Sequence, residues 1–329
     1  MRILVTGGAG YVGSVSVEAL VAAGHEVTVL DNLATSSGSA DLDGATLVQG
    51  SYGDREALAA LLTSRAIDAV LHCGARSLVG ESVRDPGLYF RENLGGGIAM
   101  LSGMQDAGVR RLVISSTAAV YGIPDAAPIP EGAQLRPINP YGETKRSLEA
   151  AAAWFASSYG FRVASLRYFN VAGASKRNGE HHVPETHLIP NALTAIETGV
   201  PMPLFGTDYP TRDGTAIRDY VHVEDLAEAH RLALEATAPD DERTDAPLIV
   251  NLGSGSGYSV RDMLSAARGA LDREVPYVEQ GRRAGDPPIL VAAIDKARDV
   301  LGWEPRRSTL EEMISSAWAE RRSRATERS

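Results

Sequence analysis

The chain has 329 residues, 44% of them hydrophobic, and a formal net charge of −10. That length supports one large or two ordinary domains, and the negative charge excludes nucleic acid or an anionic membrane as main partner, since both need a basic footprint. The single cysteine, Cys73, excludes an internal disulfide and suits a reducing compartment. The apolar run in MRILVTGGAG is too short for a secretion signal, and no stretch is long enough to span a bilayer. These features describe a cytoplasmic protein.

In chain order, RILVT (2–6), EVTVL (26–30), ATLVQ (45–49), DAVLH (68–72), RLVIS (111–115) and RVASLRY (162–168) read as buried parallel strands. Helical patterns near 12–23, 54–65, 88–107 and 141–159 fall between them. The alternation predicts an α/β fold with a doubly wound parallel sheet. From about Phe169 the rhythm changes, with frequent Pro, Gly and His through 170–215. Helices are expected near 224–237, 259–271 and 308–321, with short strands such as LIVNL (248–252) between them. We therefore divide the chain into residues 1–170 and a smaller α/β domain of residues 171–329, whose late strands are free to return to the first sheet. The final RRSRATERS reads as a solvated tail.

TGGAGYVG sets Gly7, Gly10 and Gly13 between the first strand and a helix beginning near Tyr11. Such a turn brings backbone N–H groups and a helix N-terminus up to a pyrophosphate. Asp31 follows at the end of the second strand, where an acid binds the adenine ribose 2′-OH and repels a 2′-phosphate. Loop and acid together predict a Rossmann-type dinucleotide site, with NAD(H) favoured over NADP(H). A tight strand–helix turn would use the same glycines, but the acid and the strand–loop–helix context favour the ligand site.

NPYGETK (139–145) holds Tyr141 one helical turn before Lys145. Lys145 is one of three lysines, against 29 arginines, so chance would supply roughly 0.1 such pairs. A phenol titrates near ~10, and lowering it to about 7 takes roughly 4 kcal/mol of differential stabilisation of the phenolate. A neighbouring ammonium acts in that direction. Upstream, ISSTAAVYG ends the fifth strand and presents Thr117 at the strand edge where ligands bind, making it a candidate partner for a substrate hydroxyl. Ser115 and Ser116 could equally be turn or cap residues.

These motifs, with LVGESV, LRYFNVAGA, NLGSG, GRRAGDPP and the block FGTDYPTRDGTAIRDYVHVEDLA (205–227), resemble the extended short-chain dehydrogenase/reductase family over nearly the whole chain. Within it they are similar to the UDP-glucose (UDP-galactose) 4-epimerases. The resemblance implies an NAD-dependent isomerase in which 1–170 binds NAD and 171–329 binds a UDP-sugar, working as a homodimer through the helices near 88–107 and 141–159. It implies that Tyr141 is base and then acid, with Lys145 as its partner and Thr117 as the substrate's hydroxyl partner. Gly7, Gly10, Tyr11, Val12, Gly13, Asp31, Asn32, Ser51, Arg76, Asn93, Ser115, Tyr141, Lys145 and Tyr168 would line the cofactor, with Phe169 near the nicotinamide. Ser77, Thr117, Tyr141, Asn170, His187, Leu188 and Phe205 would line the sugar nucleotide. Arg218 and Arg283 would clamp its diphosphate, and Asp286 would hold the uridine ribose.

The chain departs from the family pattern at several places. Ser51 replaces an acid near the adenine, Arg76 a lysine, and NLGGG (93–97) a less glycine-rich segment, which loosens a helix start by roughly 1 kcal/mol per glycine. Leu290 stands where the family gates bulk at sugar C2, so N-acetylated sugar nucleotides stay open as substrates, and a UDP-pentose is a separate alternative. Ala118 and Ala119 occupy the positions where related dehydratases carry an acidic pair, which counts against loss of water. A net sugar-nucleotide reductase and a non-catalytic nucleotide sensor remain as rivals. His181, His182 and His187 show no organised set of acidic or cysteine partners and read as a polar loop, with no metal expected.

Overall fold

The computed structural model describes residues 1–35, 40–182, 185–238, 246–283 and 286–327. Within the first 170 residues, β1 (Arg2–Thr6) leads through the glycine loop to α1 (Tyr11–Ala22), then β2 (Glu26–Asp31), β3 (Ala45–Gln49), α2 (Arg55–Ser64) and β4 (Ala69–His72). Two short helices, α3 (Val79–Arg84) and α4 (Pro86–Tyr89), run into a π-helical turn, Phe90–Gly95, and then α5 (Gly96–Asp106). β5 (Arg111–Thr117), a 3₁₀ turn at Ala118–Val120, α6 (Pro140–Tyr159), β6 (Arg162–Tyr168) and β7 (Asn170–Ala172) complete this half. The second half contains α7 (Leu188–Thr198), β8 (Met202–Phe205), β9 (Ile217–Arg218), β10 (Tyr220–His222), α8 (Val223–Ala236) and β11 (Leu248–Leu252). It ends with β12 (Tyr258–Ser259), α9 (Val260–Leu271), β13 (Tyr277–Gln280), β14 (Ile289–Leu290), α10 (Asp295–Leu301) and α11 (Leu310–Glu327).

Seven strands pair in the order β11-β6-β5-β4-β1-β2-β3, and every pairing is parallel. Alternation along each strand fills both faces. Ile3 and Val5 point to one core with Val17 and Leu20 of α1, while Leu4 points to the other with Leu58, Met100, Leu101 and Leu148. Each fully buried side chain of this kind contributes about 1.5–3 kcal/mol. β3 departs from the buried reading: as the last strand of the sheet it has only one neighbour, and it is largely exposed.

The chain also crosses the division drawn at residue 170. LIVNL is β11, paired with β6 in the first sheet, and α8 lies on that sheet with Leu226, Ala229 and Ala233 packed beside Val17 and Leu20. The outer lobe is built by α7, α9 and α11, around Leu193, Met263, Ala267, Met313 and Ile314. The expected solvated tail is helical through Glu327, and Arg321 within it pairs with Glu197 at 2.7 Å; residues 328–329 lie outside the described residues. Strand order reverses between β1 and β4, which opens a crevice at the carboxyl ends of the strands.

Candidate active site

The glycine loop occupies that crevice. Gly7 has φ +69°, and a Cβ on it would lie 2.5 Å from the backbone of Gly74 after β4. A Cβ on Gly13 would lie 2.2 Å from the Gly7 carbonyl oxygen, so the turn closes only with glycines at both positions. Gly10 is the N-cap of α1 and offers no side chain to the amides of the first turn, and no acid stands in that turn. The positive end of the helix is left for an anion. Asp31 braces the loop: Oδ2 accepts the Ala9 N–H at 3.0 Å and Oδ1 the Leu33 N–H at 2.8 Å, leaving lone pairs for a ribose hydroxyl. Asn32 Oδ1 accepts the Ala34 N–H, Val12 packs on the sheet core, and the Tyr11 hydroxyl donates to the Gly173 carbonyl at 2.6 Å. A cradle that a Cβ would fill, an uncapped helix end and an acid at the second strand fit a dinucleotide.

Other expected cofactor residues are spent locally. Ser51 Oγ accepts the Gly53 N–H at 3.1 Å. Asn93 is buried, accepting the Arg76 N–H at 2.8 Å and donating to the Arg76 carbonyl at 3.0 Å, while the Arg76 side chain lies 3.7 Å from Glu81. Of the 95–97 glycines, Gly96 and Gly97 are packing residues rather than loose ones, and a Cβ on Gly96 would lie 2.8 Å from the Tyr52 ring. A Cβ on Gly97 would meet Leu148 of α6 at 2.7 Å, so the absent side chain sets how closely α5 and α6 approach. Ser77 is exposed on the segment after β4.

The Asn139 side chain accepts the Gly142 N–H at 2.8 Å and Pro140 opens α6, so the helix begins on a cap with Tyr141 in its first turn. Tyr141 and Lys145 both lie on the buried face. Burial pushes the Tyr141 phenol up to about 12, opposed by its hydrogen bond with Thr117. Its ring meets Tyr89 edge-on at 6.5 Å. Lys145 Nζ donates to the Ser115 carbonyl at 2.8 Å. Burial pulls the ammonium down to about 8, against the charges of Cys73 and Glu149. The expected lowering of the phenol by Lys145 is therefore absent from the chain alone, because desolvation dominates at Tyr141.

The Ser115 hydroxyl is not a turn group. It contacts Cys73 Sγ at 3.3 Å and His230 Nε2 at 2.9 Å, and it hydrogen-bonds Tyr168, whose phenol burial raises strongly. His230, from α8, also meets the Tyr168 ring edge-on at 6.4 Å. Phe169 is buried with Ala118 and Tyr121, and Leu290 packs on the same cluster. Sequence reasoning missed His230, Glu149 and Arg167. The last two carried a signal, since Glu149 is one turn beyond Lys145 and Arg167 directly precedes Tyr168.

On the outer lobe, Arg218 Nη2 donates to Asp286 at 2.6 Å, and the Arg283 guanidinium stacks 4.1 Å from the centre of the Phe205 ring. Arg218 pairs with Leu290 in the parallel β9–β14 register, which links this group to the Phe169 cluster. Asn170 donates to the Asp219 carbonyl at 3.1 Å. Leu188 opens α7, and His187 precedes it as N-cap. The three loop histidines do have acidic partners, contrary to the sequence reading. His181 meets Glu320 at 3.0 Å, His182 meets Glu180 at 2.9 Å, and His187 meets Glu180 at 2.7 Å and Glu185 at 2.9 Å. Burial would lower the His187 imidazole, but hydrogen bonds to Glu180 and Glu185 hold it up at about 10. Ligand atoms of Glu180, His182 and His187 lie within 4.8 Å of one another, with both imidazoles hydrogen-bonded to one carboxylate oxygen. Among the described residues no helix is long and apolar enough to cross a membrane.

Comparison with known proteins agrees with this architecture. Residues 3–253 match the NAD dependent epimerase/dehydratase family. The chain is 47% identical to the UDP-glucose 4-epimerase of Lactobacillus helveticus, over 97% of this chain and 96% of that one. It is 41% identical to the UDP-glucose 4-epimerase of Brucella ovis solved in complex with NAD, with a TM-score of 0.92, covering 96% of this chain and 97% of that one. The enzyme of Bifidobacterium longum, solved with NAD⁺ and UDP, is 30% identical with a TM-score of 0.91, covering 99% of each chain. With a family match across three quarters of its length and relatives aligned nearly end to end, the chain belongs to the NAD dependent epimerase/dehydratase family.

Proposed function

We propose that the chain interconverts UDP-galactose and UDP-glucose by reversible oxidation at the sugar C4, using tightly held NAD. The observation that carries this reading is the Tyr141–Thr117 hydrogen bond beside buried Lys145, in a pocket where Ala118 and Ala119 offer no group to eliminate water. Gly7, Gly10 and Gly13 would hold the dinucleotide diphosphate and Asp31 its ribose, while Lys145 and Tyr168 line the nicotinamide half. Bound NAD supplies the hydride acceptor and donor, and its oxidised ring adds positive charge that favours the phenolate.

Thr117 relays or orients the substrate hydroxyl, and Tyr141 takes its proton and later returns it. Lys145 holds its charge below the site through the Ser115 carbonyl. Arg218 and Arg283 take the diphosphate with charge-assisted bonds, and Asp286, paired with Arg218, offers its remaining oxygen to the uridine ribose. Asn170, His187, Leu188 and Phe205 complete the sugar-nucleotide wall. Leu290, packed beside Phe169, sets the bulk admitted near the sugar ring, which is the feature that would favour another UDP-sugar.

The substrate lobe comprises the parts of 171–329 outside the first sheet. We also propose a homodimer, because Phe90, Ile98 and Trp154, on the helices expected at the interface, are 40%, 43% and 74% exposed, and a cytoplasmic setting, which the single cysteine suits.

The test is incubation with UDP-galactose and no added NAD. The expected result is conversion to UDP-glucose without accumulation of NADH. Failure to convert it even with NAD supplied, while another sugar nucleotide is epimerised, overturns the substrate; net NADH formation favours the dehydrogenase reading.

A further inference from the structure

Behind the reacting pair lies a buried ion pair that the mechanism above does not use. Arg167 Nη2 donates to Glu149 Oε2 at 2.6 Å and Nε donates to Oε1 at 3.1 Å, with both side chains no more than 6% exposed. The Ser116 hydroxyl donates to Glu149 Oε1 at 2.5 Å. Arg167 Nη1 donates to the Tyr121 hydroxyl at 3.0 Å and the Glu131 carbonyl at 3.2 Å, and the Tyr121 hydroxyl donates to Asn251 Oδ1 at 2.7 Å. Burying two charges is costly unless the remaining donors and acceptors are satisfied, and an apolar pair of the same volume is often as stable. Stability is therefore a weak reason for this arrangement.

Its position supplies a stronger one. Glu149 is on α6, one turn beyond Lys145 and two beyond Tyr141 on the same buried face. Ser116 lies on β5 between Ser115, whose carbonyl accepts the Lys145 hydrogen bond, and Thr117, which bonds the Tyr141 phenol. Arg167 lies on β6 immediately before Tyr168 and pairs with Ser116 across the two strands. One cluster thus ties together the three elements that carry the reacting groups, each at a residue next to one of them or one turn away.

We propose that Glu149 and Arg167 are positioning residues, a clamp that holds Tyr141 and Lys145 of α6 in register with Thr117 and Ser115 of β5. The proposal rests on the catalytic reading of the Tyr141–Lys145 pair. The clamp has an electrical consequence as well as a mechanical one. Around Lys145 stand His72 of β4 and Cys73 just after it, the Ser115 carbonyl of β5, and Tyr141 and Glu149 of its own helix; Arg167 of β6 reaches it only through Glu149, and Tyr168 and His230 stand behind Ser115. The Glu149 carboxylate favours the ammonium. Arg167 offsets that charge by pairing with it.

The two halves of the clamp therefore act on Lys145 with opposite sign. Glu149→Gln removes the anion and leaves Arg167 unbalanced, so the Lys145 titration midpoint should fall by about one pH unit. Arg167→Gln leaves the carboxylate unpaired, so the midpoint should rise by a similar amount. The double variant Glu149→Gln/Arg167→Met removes both charges and should return the midpoint close to the wild-type value.

The chain contains three lysines, so full-length enzyme carrying NAD and labelled with [ζ-¹⁵N]lysine gives three side-chain resonances, of which Lys145 is assigned by loss in Lys145→Arg. Each single variant should lower kcat at least 10-fold, with the basic limb of the pH–rate profile following the NMR midpoint. Midpoints that stay in place, or that move in the same direction in both variants, overturn the clamp even if both proteins lose stability. If a single variant fails to fold by near-ultraviolet circular dichroism, the double variant decides: a wild-type midpoint with full activity overturns the positioning role, and a wild-type midpoint with kcat lowered at least 10-fold supports it. Tyr141→Phe separates the two ideas. Turnover retained in that variant overturns the catalytic reading itself, whereas an inactive Tyr141→Phe with unmoved Lys145 midpoints overturns only the clamp.

Discussion

Lys145 Nζ donates to the Ser115 carbonyl at 2.8 Å, so the ammonium one helical turn after Tyr141 is anchored on the strand that carries Thr117. The phenol is held protonated by burial, at about 12, and the ammonium is weakened to about 8. On the proposed mechanism, such a phenol needs added positive charge before it can act as a base. The proposal therefore assigns that charge to the oxidised cofactor ring together with Lys145.

Removing the phenolic oxygen tests the base directly. Tyr141→Phe keeps the ring that packs edge-on against Tyr89 and loses only the group bonded to Thr117. Turnover of UDP-galactose should fall by about 10³-fold, with NAD still bound and the fold unchanged. Assays of kcat beside the cofactor content of the purified protein check this, and wild-type turnover would refute the assignment.

The glycine cradle predicts a coupled loss. Gly7→Ala places a Cβ 2.5 Å from Gly74 on a backbone with φ +69°, which should cost about 1–3 kcal/mol. The purified variant should also lack NAD, because any shift of the loop moves the first-turn amides of α1. Thermal unfolding and the 260/280 nm absorbance ratio measure the two effects, and a variant that keeps both would show that the loop tolerates a side chain.

Acid should destabilise the protein through three interior histidines, His72, His222 and His230, of which His222 is pulled down to about 4 by burial and the charge of Arg307 and the other two further. Burial, aided by the charge of Lys145, pulls His72 down to about 3, and burial alone does the same to His230. All three folded values lie below the ordinary 6.5, so the unfolded chain binds more protons between pH 6.5 and 3. Their contribution is complete above pH 6.5 and is lost as pH falls towards 3, or towards 4 for His222, by up to roughly 1.4 kcal/mol per pH unit for each histidine. Urea unfolding at pH 7, 6 and 5 should show this decline. Constant stability over that range would mean that all three imidazoles charge freely in the folded state.

The exposed apolar residues of α5 and α6 predict the assembly. Trp154→Glu, at a side chain 74% exposed in the single chain, should convert a dimer to monomers in sedimentation velocity while leaving NAD bound. A wild-type sedimentation coefficient would move the interface elsewhere.

The glycine loop, Asp31, the apolar strands and the Tyr141–Lys145 spacing were all legible in the chain, because each is a local pattern whose geometry follows from the residues within it. The parallel sheet followed from the alternation of such patterns. Which face LIVNL would pair with, and which atom Lys145 would reach, depended on residues far away in sequence. β11 joins β6, with Leu248 opposite Ala164, because its apolar side chains complete that core, and Lys145 bonds the carbonyl of Ser115 because burial leaves the ammonium no water. The same holds for Arg167 on Glu149 and for the loop histidines on Glu180 and Glu185. Residue type states which charges a protein carries; only the packed structure sets how far each is from water and from its partner, and those distances decide protonation.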